Sequence, residues 1–389
     1  AGRKRLVMEY FYREVRRRYD ILMDGAAPAA GAAPATGAAP ATGAAPATGA
    51  WNYDAENREA FPVEGPGDVP PPPAFDPDET TRAAITDVDA AFPEAPGPAA
   101  GSDWRLDLPV TPAEAERALE AFVVERLPLF GRYQDAMWPG SPVLYHSLLS
   151  PALNLRLLDP RAVVARAERA WREGRVPIAS AEGFIRQVAG WREFIRGVYF
   201  HAGPDYPGRN ELEAEASLPE FFRTGETQMR CASDVARRIA ETGYAHHIER
   251  LMVMGLYAML AGVEPAAVNA WHQEYLIDAY EWVSTPNVIG MSQYADGGLV
   301  ATKPYAASGK YIDRMSAYCS SCRFRPDRAT GEDACPFTTL YWDFLARHRE
   351  RLAGNRRMKL QLANLDRKSA DERAAIARAA EALRKEHHP

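Results

Sequence analysis

Thr111-Pro112-Ala113-Glu114 opens the stretch whose periodicity decides the fold. A threonine N-cap, a proline at the first helical position and an acid in the first turn make a strong helix start. From there apolar residues recur at helical spacing almost to the end of the chain. Helices are expected near 111–127, 149–158, 160–173, 180–198, 228–241, 246–261, 264–282, 336–353 and 369–386. Runs that alternate with period two, the mark of a strand, are hard to find. The expected fold class is all-α.

Upstream of Thr111 the composition changes. Residues 25–48 are four six-residue units, Gly-Ala-Ala-Pro-Ala-Ala once and Gly-Ala-Ala-Pro-Ala-Thr three times. A proline in each unit blocks a continuous helix, and no side chain there can build a core, so a flexible loop without chemistry is expected. Trp51-Asn52-Tyr53-Asp54-Ala55-Glu56-Asn57-Arg58 follows, dense in aromatic and carboxamide groups, and reads as an ordered loop that docks on something. Residues 61–103, rich in proline and acids, read as connector with a short helix in 80–92. Residues 3–24 read as a helix with Leu6, Tyr10, Val15, Ile21 and Leu22 on one side and Arg13, Arg16, Arg17 and Arg18 on the other. That basic side reads as a solvated face or an interdomain contact, with DNA as the sharper alternative. The expected organisation is a linking helix over 1–24, a linker over 25–110 and a helical domain over 111–389.

The chain has 389 residues, 47% of them hydrophobic, enough for a sizeable core. Net charge is −6, which argues against a generally basic nucleic-acid binder. The charge is uneven. From residue 300 onward there are 18 Lys+Arg against 11 Asp+Glu, and 28 against 41 before it, so a basic C-terminal third sits on an acidic chain. Ordinary solvated helix faces account for that asymmetry, and a local phosphate-binding patch is the sharper reading. No apolar run is long enough to span a bilayer and no signal peptide is visible, so no membrane partner and a cytoplasmic location are expected.

Four cysteines in so long a chain do not make a secreted disulfide framework. Cys319 and Cys322 form a Cys-x₂-Cys hook, Cys335 precedes Pro336, and Cys231 lies far upstream. Sets of four thiolates hold zinc or iron–sulfur clusters. The Cys-Pro ending and the reach back to Cys231 lean toward a cluster. Structural zinc and four unrelated core cysteines remain open on spacing alone.

Several blocks then carry a resemblance. Tyr145-His146-Ser147-Leu148-Leu149-Ser150-Pro151-Ala152-Leu153-Asn154 and Gly190-Trp191-Arg192-Glu193-Phe194 resemble segments of the photolyase/cryptochrome family. Each alone has a bland reading, a helix start and a core aromatic. Tyr244-Ala245-His246-His247-Ile248-Glu249-Arg250-Leu251-Met252, Asp278-Ala279-Tyr280-Glu281-Trp282-Val283, Pro286-Asn287-Val288-Ile289-Gly290 and Thr302-Lys303-Pro304-Tyr305 through Tyr311 are similar to the bacterial iron–sulfur photolyases and cryptochromes, the prokaryotic (6-4) photolyase group. The likeness is collinear over nearly the whole chain.

The resemblance implies a helical FAD-binding domain with a C-terminal [4Fe-4S] subdomain, the cluster held by Cys231, Cys319, Cys322 and Cys335. It implies light-driven repair of (6-4) photoproducts in UV-damaged DNA, by a monomer. It places Ser147, Leu148, Leu149, Ser150, Asn154, Arg192, Asp278 and Asn287 on FAD, and Trp191, Tyr305 and Tyr311 at the lesion. His246 or His247 would serve the proton step, because imidazole is the side chain poised near neutral pH. Trp271 would relay electrons, and Asp54 matches a loop linked to Mg²⁺. Relatives carry an N-terminal antenna domain, binding a lumazine in this branch, and the chain as given is expected to be a fragment lacking it. Two departures stand out. His272 replaces a tyrosine common after the relay tryptophan, leaving Tyr275, Tyr280 and Trp282 as alternatives, and Ser284 stands where some relatives have a glutamate. Both pull toward the alternative of a cryptochrome-type blue-light photoreceptor. A non-photochemical iron–sulfur nucleic-acid-binding protein is the third reading, against which the flavin segments argue.

Overall fold

The computed structural model describes residues 6–24, 45–93, 95 and 108–387. Among them there is no strand, only isolated bridges such as Arg325 with Ala334, so the fold is all-α as expected. The six-residue repeat lies almost wholly outside the described residues. These residues fall into two compact units, one formed by 7–136 and 143–197 and the other by Leu6, 137–142 and 198–387. The domain expected to begin at 111 therefore contributes to both.

In the first unit the helix start at Thr111 is a full capping box. Its hydroxyl accepts from the Glu114 N–H, and Glu114 reaches back to the Thr111 N–H at 3.1 Å. The helix runs from Pro112 through a wider turn at Phe122–Arg126 into Leu127–Tyr133. That last piece packs on Ile178–Ile185, and the approach is close. A Cβ on Gly131 would come within 2.6 Å of the Ser180 Cα, so only glycine fits. The Met8–Tyr19 helix lies against the Arg186–Arg192 turn.

The Trp51–Arg58 loop is ordered and docks within this unit. The guanidiniums of Arg13, Arg16 and Arg17 sit 5.4, 5.1 and 4.7 Å from the Trp51 ring centre. Arg16 is buried and donates to the carbonyls of Ile21, Leu22 and Trp51. The basic cluster on the first helix thus includes a buried cation that holds this loop. Asn57 is buried too, donating to the Ala179 carbonyl at 2.9 Å.

The second unit is built around His247–Ala261, which is α-helical at both ends and widens at Arg250–Gly255. Tyr257, Phe222, Trp271, Phe337 and Phe344 fill its core. The helix expected over 264–282 is two. The first ends at Tyr275, Leu276 is extended, and the second starts at Glu281. Two contacts capture the turn between them: the Ile277 N–H donates to the Gly243 carbonyl at 3.0 Å, and Asp278 pairs with Arg250. The second helix then passes through Pro286, which has no N–H to give, by widening into a π-type turn over Pro286–Ser292.

Candidate functional site

Cys231, Cys319, Cys322 and Cys335 converge in the second unit. All four line one recess, with Met229, Ile312 and Phe337 among its apolar walls. None is in a disulfide. Cys231 sits in the first turn of Arg230–Thr242, and Cys335 is the N-cap of Pro336–Arg347. The Cys319–Ser321 turn is tied to the start of the Arg230 helix by Arg230 bonding Ser321 and Arg323 bonding Gln228. Gly309 must be glycine here, since a Cβ would lie 2.7 Å from the Cys335 sulfur. Burial, then the neighbouring thiols, push Cys319 up to about 12. Burial pushes Cys335 up to about 11, opposed by amides at the start of its helix. Cys231 is also pushed well up, by burial first and then by all three of the others. A sulfur-only donor set in an apolar recess suits a soft metal centre.

His246 and His247 differ in burial although their ring nitrogens come within 4.8 Å of each other. His246 is buried, His247 exposed, and their ring centres are 6.1 Å from each other. Below His246 lies a charged network that the sequence reading missed. Glu249 is fully buried; it accepts from Arg238 at 2.8 Å and from the His246 N–H at 3.3 Å, and the Tyr318 hydroxyl is 3.4 Å away. Tyr318 also donates to Asp234 at 2.7 Å. Burial, opposed by Arg238, pushes the Glu249 carboxyl up to about 7. No local stretch of sequence signals this network, because Arg238 lies 11 residues before Glu249 and Tyr318 lies 69 residues after it.

Trp271 is buried, donates its indole N–H to the Phe222 carbonyl at 3.1 Å and stacks on Tyr275 with ring centres 5.8 Å apart. His272 is buried as well, and burial with Arg250 nearby pushes it down to about 3, so it is neutral.

Three comparisons with known proteins bear on this arrangement. A family model described as deoxyribodipyrimidine photo-lyase-related protein matches residues 1–32 and 41–104. A (6-4) photolyase of Agrobacterium fabrum is 48% identical over 386 residues, covering 99% of this chain and 71% of that protein. The chain belongs to the (6-4) photolyase family. Two solved structures are similar at a TM-score of 0.44 each: a bacterial class III photolyase from Agrobacterium tumefaciens, 18% identical over 71% of this chain, and a Synechocystis cryptochrome, 17% identical over 72%. The chain spans 56% of the length of each of those two.

The residues that the resemblance assigns to the flavin and the lesion are divided between the two units. In the first, Leu148 is in the left-handed conformation (φ 57°), with the Ser147 hydroxyl accepting from the Leu149 N–H at 3.3 Å. Ser150 starts a short helix ending at Asn154. Arg192 pairs with Glu193 at 2.5 Å and reaches the Leu153 carbonyl at 3.5 Å, next to that helix. Half-buried Trp191 meets Phe194 edge-on at 6.0 Å. In the second, both oxygens of Asp278 accept from Arg250, at 2.8 and 3.3 Å, and Asn287 donates to the Val283 carbonyl within its own helix. Tyr305 is at the surface, and half-buried Tyr311 lies under Arg314 at 5.5 Å. Half-buried Ser284 continues the helix that begins at Glu281. Asp54 is engaged by Arg58 and by Arg186 at 3.2 Å, so a cation there would have to displace guanidinium. No helix among the described residues is long and apolar enough to cross a membrane.

Proposed function

We propose that this chain repairs (6-4) pyrimidine photoproducts in UV-damaged DNA, driven by light, as a monomeric cytoplasmic photolyase. The observation that carries the reading is 48% identity to a (6-4) photolyase across 99% of the chain. FAD, when bound and reduced, would supply the photoexcited electron. The donors suit its phosphates: the Ser147 and Ser150 hydroxyls belong to one short turn, and Arg192 reaches its Leu153 carbonyl. Asn154, Leu148 and Leu149 would complete that side. Asp278 and Asn287 would face the isoalloxazine and ribityl portions, Asp278 through its pair with Arg250.

The lesion must leave the base stack to be reached. Trp191, Tyr305 and Tyr311 would receive it, and His246 would deliver the proton its bridging group needs, held apart from bulk water by burial. Trp271 with Tyr275 stacked on it would carry electrons inward from solvent, replacing the tyrosine that His272 supplants. The four cysteines would hold a [4Fe-4S] cluster, which the branch resemblance favours over zinc. The cluster would staple the Arg230 helix to the C-terminal part of the chain. His272 and Ser284 favour the photoreceptor as second reading, since a neutral buried imidazole is a poor redox relay.

The test is blue-light repair of defined (6-4) and cyclobutane lesions by the purified protein. Restoration of the (6-4) lesion is expected, with loss by about a hundredfold or more in His246→Ala. Repair of neither lesion by an FAD-loaded protein would leave the photoreceptor. Cys319→Ser should lose iron and the broad visible absorption; a variant that keeps both would rule out Cys319 as an essential ligand, and a parent without either would rule out the cluster.

A further inference from the structure

His246 and Glu249 are three residues apart at a helix start, where a glutamate often reaches back to cap the backbone. Such caps normally face solvent. This one is at 0% exposure, and its two oxygens divide the work. Oε2 accepts the His246 backbone N–H at 3.3 Å and lies 3.6 Å from the imidazole Nε2, so one atom references both the backbone and the ring. Oε1 is taken by Arg238 at 2.8 Å and approached by the Tyr318 hydroxyl at 3.4 Å. Arg238 and Asp234 come from the Arg230–Thr242 helix, whose first turn carries Cys231, and Tyr318 immediately precedes Cys319. Two of the segments that supply the cysteines therefore also clamp the carboxylate.

We propose that Glu249 is the positioning residue for His246, fixing ring orientation, and that Tyr318 and Arg238 make this position depend on the cysteine-bearing segments. The proposal rests on the reading of His246 as proton donor. Its physical basis is that an imidazole can give a proton productively only from a fixed direction. A carboxylate held on its far side by a buried guanidinium cannot follow the ring if the ring turns. The other titratable or charged groups nearby are His247, with a ring nitrogen within 4.8 Å of one on His246, Tyr244, whose phenol is raised by burial, and Arg250, which is committed to Asp278 and the Ala245 carbonyl.

The experiment uses the full chain loaded with its cofactors and compares Glu249→Gln, Tyr318→Phe and His246→Ala with the parent. Three quantities are read: affinity for lesion DNA, light-driven repair rate from about pH 5.5 to about pH 8.5, and the imidazole ¹⁵N shifts of His246 in the dark, assigned by their loss in His246→Ala. Glu249→Gln should repair at least about tenfold more slowly, with lesion affinity changed less than about threefold, because it alters proton delivery and not binding. The pH dependence of its repair should differ from the parent's over that range, and the His246 signals should shift. Tyr318→Phe should move the same signals less and slow repair by about two- to fivefold with iron content unchanged. If Glu249→Gln fails to fold, the Tyr318→Phe shifts decide. Parent-like rate and shifts in Glu249→Gln, or parent-like shifts in Tyr318→Phe, overturn the proposal while His246→Ala is inactive. Full repair by His246→Ala overturns instead the reading beneath it.

Discussion

Glu182 and Glu249 are both buried without exposure, each within reach of an arginine, and burial raises both carboxyls. Their surroundings separate them. Glu182 accepts the Tyr53 N–H at 3.1 Å and pairs with Arg186 at 3.3 Å, while Arg186 also reaches Asp54. Every one of those groups belongs to the loop after Trp51 or to the helix beneath it, so the carboxylate fastens one piece of chain to another. Glu249 has an equivalent guanidinium, but its other oxygen faces a titratable ring. The same buried acid is a fastener where its partners are backbone, arginine and the Tyr12 phenol, whose ionisation burial suppresses. It becomes part of a proton-handling site where one partner is histidine.

The largest effect that tests this contrast is on stability. Glu182→Ala leaves Arg186 buried beside an emptied position and releases the Tyr53 amide. Unfolding by urea should show a loss of about 3–5 kcal/mol. Repair per folded molecule should stay near the parent value. A specific loss of repair with unchanged stability would show that Glu182 is more than a fastener.

Glu249 predicts a pH effect of definite sign. Its folded value of about 7 lies above the ordinary carboxylate value of 4.5. Between those two values the folded chain holds a proton that the unfolded chain has lost. This group's contribution is therefore fully present below about pH 4.5 and declines as pH rises through about 7. The decline is on the order of 3 kcal/mol. Denaturation midpoints of parent and Glu249→Gln, compared across that window, should diverge with the parent falling and the variant flatter. Parallel curves would mean that Arg238 holds Glu249 ionised throughout.

Neither glutamate could be singled out from sequence, and the reason is distance along the chain. The all-α class was legible because helical periodicity and the Thr111 capping box are local. The cysteine set was legible because thiols at a chelating spacing carry their own chemistry, and the fold gathers all four. Glu182 depends on Tyr53, 129 residues away, and Glu249 on Tyr318, 69 residues away. The break at Leu276 was hidden for the same reason. Gly243 and Arg250, which capture the turn, lie outside any window that reads 264–282 as one helix. Trp271 was legible by resemblance, but its stacking on Tyr275 instead of a neighbouring tyrosine needed the helix geometry.

The smallest expected effect concerns the outer end of the Glu182 network. Asp54 is 38% exposed and divides its carboxylate between Arg186, which is 6% exposed, and Arg58, which is 62% exposed. Solvent screens the Arg58 arm, and Arg186 keeps Glu182 when Asp54 is removed. Asp54→Asn should therefore cost only about 0.5–1 kcal/mol. The same geometry bears on the cation expected at this loop. Mg²⁺ prefers carboxylate oxygens with retained waters, and here two guanidiniums already occupy them. Millimolar Mg²⁺ should leave the melting temperature unchanged in both parent and variant. A rise in the parent that Asp54→Asn abolishes would show Arg58 yielding to the ion, since only binding to the folded state raises the midpoint. In that case the fastener at Glu182 would end in a cation site at the surface, and the contrast with Glu249 would narrow to which ligand each network serves.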